Sequence, residues 1–288
     1  MYLMLLPVIA FFAIFRYWPM AWLRIAFYNY KLLKGFDGSK YVGIAHFTKF
    51  FNSFDFWMLL RNTLTLNFLS LVIVFPLPII FALLLNEIEH TRFKKTVQTV
   101  SYLPYFVSTM IVVSMINTFL SPSLGIVNRI IRSMGGEAIY FLGKGKYFRG
   151  IYIASSIWQT TGWSAIVYLS ALTSIDPTLY EAAIVDGAGR WKQTLHITFP
   201  GIRSTIVIMF ILEIGHMMNV GFEKVYLLQN DLNLTVSEVI STYLYKKGIV
   251  QANYSYSTAV GLFNAVINFT LVLISNTISR KVSEISLW

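Results

Sequence analysis

Apolar runs long enough to cross a bilayer recur along these 288 residues, and that repetition leaves few folds open. Crossing about 30 Å of hydrocarbon takes about 20 helical residues at about 1.5 Å each. Six such spans fit, near residues 3–27, 59–85, 99–120, 150–172, 204–228 and 257–278. Only 12% of the chain is charged against 56% hydrophobic, whereas a soluble domain carries about 25% charge. A membrane barrel would show alternating segments of roughly ten residues, and none is present. The expected fold is therefore an all-α polytopic membrane protein of about six helices. Without an internal repeat or low-complexity linker, residues 1–288 read as one domain.

Several functions are excluded at once. With no cysteine, disulfides, thiolate catalysis and thiolate metal sites fall together. His46, His90, His196 and His216 are scattered without ligand spacing, which argues against a metal. Gly143-Lys144-Gly145-Lys146 is too short for a phosphate loop, so any ATP that drives this chain is bound by another subunit. No clustered nucleophile or paired acids point to an enzyme. The N-terminal run lacks a basic leader and a small-residue cleavage site, so it reads as the first span and not as a signal peptide. Its abrupt apolar start is what a missing short cytoplasmic leader would leave.

Between the fourth and fifth spans, residues 173–203 form a polar, helix-favouring loop. Asp176 suits an N-cap and Pro177 the first helical position. Glu181 then lies near the positive helix end, and Ala182 with Ala183 keeps that side thin enough for a partner backbone. Asp186-Gly187 and Gly189 supply a break. Trp191 and Leu195, at i and i+4, make an apolar stripe on a second short helix, and Pro200 marks the turn back to the membrane. An interfacial amphipathic linker without a partner is the plainer account of such a loop.

Glu181-Ala182-Ala183, Asp186-Gly187-Ala188, Ile197 and Pro200 at these spacings resemble the cytoplasmic EAA loop of permease subunits in binding-protein-dependent ATP-binding-cassette importers. RNTL at 61–64, PLPIIFALLLNEI at 76–88, QTVSYLPYF at 98–106, IWQTTGWSAIVYLSAL at 157–172, VGFEKVYLL at 220–228 and YSYSTAVGLFNAVINF at 254–269 resemble the carbohydrate-uptake branch that imports oligosaccharides and polysaccharide fragments. The likeness covers essentially the whole chain. It implies the type I ABC-importer permease fold, maltose-permease-like, in a bacterial cytoplasmic membrane. It also implies a homologous second permease, an ATPase dimer that binds ATP and Mg, and an extracytoplasmic solute-binding protein. No cofactor is implied in this chain, and no nucleic acid as partner. The loop residues would dock in a cleft of the ATPase, with Glu181 near basic groups and Gly187 at the tight turn.

Charge and resemblance disagree over orientation. The connectors at 28–58, 121–149 and 229–256 sum to about +6 and the opposite side to about +2, so a positive-inside count puts the long connectors in the cytoplasm. The resemblance puts the 173–203 loop there instead, and that orientation is adopted.

Polar groups inside the spans are the candidates for the translocation pathway. Glu213 and His216 lie nearly one turn apart in the fifth span, with Asn219 following. A carboxylate at mid-span costs roughly 2.5–3.5 kcal/mol on insertion scales, so it needs a partner or a wet cavity. Trp158, Gln159 and Trp163, Asn67, Asn117, and Asn264 with Asn268 at i and i+4 complete the set, since sugar sites use aromatic faces and amides. Each has a structural alternative: an interhelical hydrogen bond for the polar groups, an interface anchor for the tryptophans. Arg16 and Arg61 are read as snorkelling or paired near the interface.

Five basic residues against one acid in 121–149 would attract an acidic solute such as a uronate-type oligosaccharide; attraction to lipid headgroups or a charged partner is the plainer account. A proton- or sodium-driven secondary transporter is the main rival. It would leave the EAA loop without a task, and no inverted repeat supports it.

Overall fold

The structure, a computed structural model, describes residues 2–283 and Ser286, so part of the C-terminal tail counted above lies outside the described residues. Two compact units form: Met1–Arg61 with Val239–Ile267, and Asn62–Glu238 with Asn268–Trp288.

The first unit begins with the apolar helix Leu5–Phe27. An antiparallel hairpin follows, Tyr28–Lys31 paired with Gly35–Tyr41, which the all-helical expectation did not include. It forms because aromatic residues recur along both strands: Tyr28 packs edge-on against Tyr41 at 5.2 Å and against Phe36 at 5.6 Å. Phe50, at the end of helix Ala45–Phe51, is buried at the centre of a second aromatic group. Its ring lies 5.1 Å from Phe56, 5.5 Å from Phe263 and 6.4 Å from Tyr256.

One core cluster of the second unit is Ile79, Ala82, Ala165, Tyr168, Leu172 and Ile202. These come from helix Pro76–Asn86, helix Gly145–Thr173 and the turn before helix Arg203–Gly215. A wide turn at Ser70–Val74 precedes Pro76, where proline has no N–H to continue a regular ladder. Gly162 allows its helix to meet residue 101 backbone to backbone: a Cβ there would lie 2.1 Å from the Ser101 carbonyl oxygen.

Among the described residues, Leu5–Phe27, Phe56–Asn86 and Tyr254–Lys281 are long and apolar enough to cross a membrane, making five candidate spans if each of two bent pairs counts as one. The 29-residue helix Gly145–Thr173 holds the expected fourth span. At about 1.5 Å per residue it is ample in length, but its Ser, Thr and Gln residues keep it out of that apolar set.

Two expected spans need correction. The third is not one helix: Thr91–Phe106 and Thr109–Phe119 meet at 96°, with Pro104 just before the break. The fifth, expected over 204–228, stops at Gly215 and resumes only as Phe222–Leu228. Arg190–Gly201 joins its N-terminal end with a 58° bend.

Candidate functional site

The loop between the Gly145–Thr173 and Arg203–Gly215 helices is an ordered element. Asp176 caps helix Pro177–Val185, its carboxylate accepting from the Thr178 N–H at 2.9 Å. That bond holds the Asp176 pKa below its ordinary value. The other end closes with two backbone bonds: Ala188 N–H donates to the Ala183 carbonyl at 2.8 Å, and Gly187 N–H to that of Ile184 at 3.0 Å. This pairing is a Schellman closure, which needs a left-handed residue at the position of Gly187, and its φ is +73°. The sequence Asp-Gly-Ala thus stops one helix within a single turn.

Gly189 is extended and starts the second helix, Arg190–Gln193, which runs on through a wide turn at Thr194–Thr198 to Phe199–Gly201. Pro200 sits in that final turn, just before the bend. Tyr180 Oη and Thr198 Oγ1 meet at 3.0 Å and tie the two helices together. Gln193 Nε2 donates to the Ala188 carbonyl at 2.8 Å. Arg190 pairs with Glu89 and lies 4.0 Å from Glu87, fastening the element to the preceding connector.

Ala183, Asp186, Ala188 and Ile197 line one groove of about 460 Å3, together with Lys192, Gln193 and His196. Glu181 and Ala182 are exposed beside it. Around the groove stand apolar side chains with nothing over them: Val185 is 87% exposed and Trp191 79%, with Ile184 and Leu195 also open. Such a patch on an ordered element marks an interaction surface. All eight residues expected in the coupling role are therefore on one element, Glu181, Ala182 and Gly187 outside the groove lining and Pro200 at its far end.

The pathway candidates are not gathered into one site. Gln159 is buried and donates from Nε2 to the Val107 carbonyl at 3.0 Å, at the break in the third span. Asn268 Oδ1 accepts from the Met218 N–H at 2.9 Å, inside the break of the fifth. Both amides serve backbone groups left over where a helix unwinds, the requirement hydrocarbon imposes. Asn67 bonds the Thr63 carbonyl of its own helix at 2.9 Å. Trp163 stacks on Tyr105 at 4.6 Å, and Trp158 lines an apolar groove of about 480 Å3 with Met115 and Phe119.

Asn117 opens onto a smaller cavity with Tyr140 and Asn230, and Asn264 is buried. The Glu213–His216–Asn219 stripe needs correction. Glu213 is exposed in the last helical turn, His216 is already the cap, and Asn219 belongs to the unwound segment. These three do not share a helical face.

Lys224 was not anticipated. It is only 8% exposed, donates to Ser156 Oγ at 3.3 Å, and lies 5.9 Å from the Tyr152 ring centroid. Its place within an apolar stretch, next to Glu223, was the available signal.

Apolar spans, some of them broken, with a helix pair presented on one loop, define a multi-pass membrane protein. Over residues 75–284 the chain matches the binding-protein-dependent transport system inner membrane component family, and it belongs to that family. It is 48% identical over 284 residues to the polygalacturonan/rhamnogalacturonan transport system permease protein YteP of Bacillus subtilis (strain 168), covering 99% of this chain and 88% of that one. Protein LplB of the same organism is 47% identical over 284 residues, with 99% and 89% covered. A chain of a bacterial alginate ABC transporter, crystallised in complex with an alginate pentasaccharide-bound periplasmic protein, superposes with a TM-score of 0.92. It is 43% identical, covering 99% of this chain and 96% of that one. The chain is thus a transport permease.

Proposed function

We propose that this chain is one of two homologous membrane-spanning subunits of an ATP-driven importer of acidic oligosaccharides in a bacterial cytoplasmic membrane. A separate ATPase, which holds the ATP and Mg, drives it through the element from Asp176 to Gly201. An extracytoplasmic binding protein brings the cargo.

The observation that carries this reading is the built, open surface of that element. Its turn is fixed by the Gly187 closure, its helices are tied by Tyr180 and Thr198, and its apolar rim is uncovered. From there a push reaches the core directly, because Ile175 and Ile202 flank the element and both belong to the Ala82–Tyr168 packing group. Gly201 keeps this junction tight, since a Cβ there would lie 2.7 Å from Ile175 Cδ1. The cargo class is supported by the named substrates of two relatives, polygalacturonan/rhamnogalacturonan and alginate, all acidic polysaccharides.

The natural absence of cysteine makes the test clean. In vesicles containing the assembled transporter, Val185→Cys labelled with a short photocross-linker is expected to give an adduct with the nucleotide-hydrolysing subunit, changing in yield with bound nucleotide. Adducts with lipid alone would return the loop to an unpartnered interfacial linker.

A further inference from the structure

The unit formed by Met1–Arg61 and Val239–Ile267 holds a polar cleft of about 540 Å3, within the size range of small-ligand sites. We propose that this cleft is a subsite for a uronate residue of the incoming oligosaccharide. The proposal rests on the acidic-cargo reading above and adds a place where that charge is read.

Two cations flank one aromatic wall. Lys49 Nζ lies 5.5 Å from the Tyr256 ring centroid and Lys247 Nζ 5.4 Å from that of Tyr243. The two tyrosine hydroxyls meet at 3.1 Å, and the rings pack edge-on at 69°, which fixes the two positions relative to each other. No carboxylate lines the cleft, and neither lysine forms an ion pair among the described residues. The positive charge is therefore uncompensated, and a carboxylate is the ligand group that answers it.

The remaining lining suits sugar hydroxyls. Asn52, Gln251 and Asn253 bring amides, and the Ser53 Oγ is buried without a hydrogen-bond partner. The rim is held in an uncommon shape. Ala252 has φ +51°, a left-handed conformation disfavoured for a residue with a Cβ. It is kept there by Gln251 N–H to the Lys246 carbonyl at 3.0 Å and Asn253 N–H to that of Lys247 at 2.9 Å. That strained turn places Gln251 and Asn253 together at the cleft, and backbone strain of this sort collects at ligand sites. In the topology implied by the family resemblance, the connectors carrying the cleft are extracytoplasmic, where cargo arrives.

The test uses the complete transporter, with partner permease, ATPases and binding protein, in proteoliposomes. Its probes are trigalacturonate and the fully methyl-esterified, uncharged trimer. For Lys49→Gln combined with Lys247→Gln, the KM for trigalacturonate is expected to rise about tenfold, as loss of two partly exposed charge contacts implies. The maximal rate and the ester's uptake stay unchanged, and Lys49→Arg with Lys247→Arg restores the KM. An unaltered KM in the double variant, when the wild type imports trigalacturonate, overturns the cleft alone. Equal loss for both trimers makes the lysines structural and also overturns it. A raised binding-protein requirement for ATPase stimulation assigns them to an acidic side chain of that protein instead. Import of the ester but not of trigalacturonate by the wild type sinks the cargo reading and the cleft together.

Discussion

Replacing Gly187 with alanine separates backbone conformation from contact in the element from Asp176 to Gly201. A Cβ at Gly187 meets nothing within 4 Å, so the substitution adds no clash. What it adds is the penalty of holding φ at +73° with a side chain, about 1–2 kcal/mol. Relief of that strain must open the Ala188–Ala183 and Gly187–Ile184 bonds that stop the first helix. A penalty of that size lowers the population of the closed element by a factor of roughly 5–30.

Gly189, two residues on, is the internal control: it also meets nothing within 4 Å, but its φ of −68° suits any residue. Binding-protein-stimulated ATP hydrolysis and uptake in proteoliposomes should therefore fall about fivefold or more in Gly187→Ala, with subunit assembly kept. Gly189→Ala should stay near wild type, and Gly187→Asn should recover part of the loss, since asparagine tolerates this conformation. If Gly189→Ala is as harmful as Gly187→Ala, the reasoning from backbone geometry is wrong.

Two further outcomes follow from packing inside the second unit. Gly162→Ala would drive a methyl to 2.1 Å from the Ser101 carbonyl oxygen, and backbone cannot yield as a side chain can. A loss of roughly 1–3 kcal/mol is expected, read as a lower Tm of the purified complex, while Gly150→Ala, facing open space in the same helix, keeps or raises Tm. Gln159→Leu strands the Val107 carbonyl at the helix break and should cost about 1–3 kcal/mol. Thermal stability then drops for every cargo alike; a change in cargo preference at unchanged Tm would return Gln159 to the pathway.

Much of the element from Asp176 to Gly201 was legible because its determinants are local. A cap at Asp176, proline at the next position and glycine at the turn act through neighbouring backbone, so a one-dimensional string records them, and the structure carries each one. The broken spans were not legible. Hydropathy averages a window, and residues 216–221 stay apolar enough to pass as a continuous helix although the chain unwinds there. The same limit left Gln159 and Asn268 open between a sugar contact and an interhelical hydrogen bond, because nothing in the sequence says which carbonyl or N–H lies across from an amide.

What the sequence determined alone is the membrane class, the positions of the apolar runs and a helix-stopping loop with a partner-seeking pattern, all set by composition and short-range sterics. Tertiary structure decided which helices break, which amides compensate for the breaks, and that Lys49 and Lys247 share a cleft although nearly 200 residues separate them. Those outcomes depend on backbone groups that must find partners across space when neither water nor a neighbouring turn can supply them.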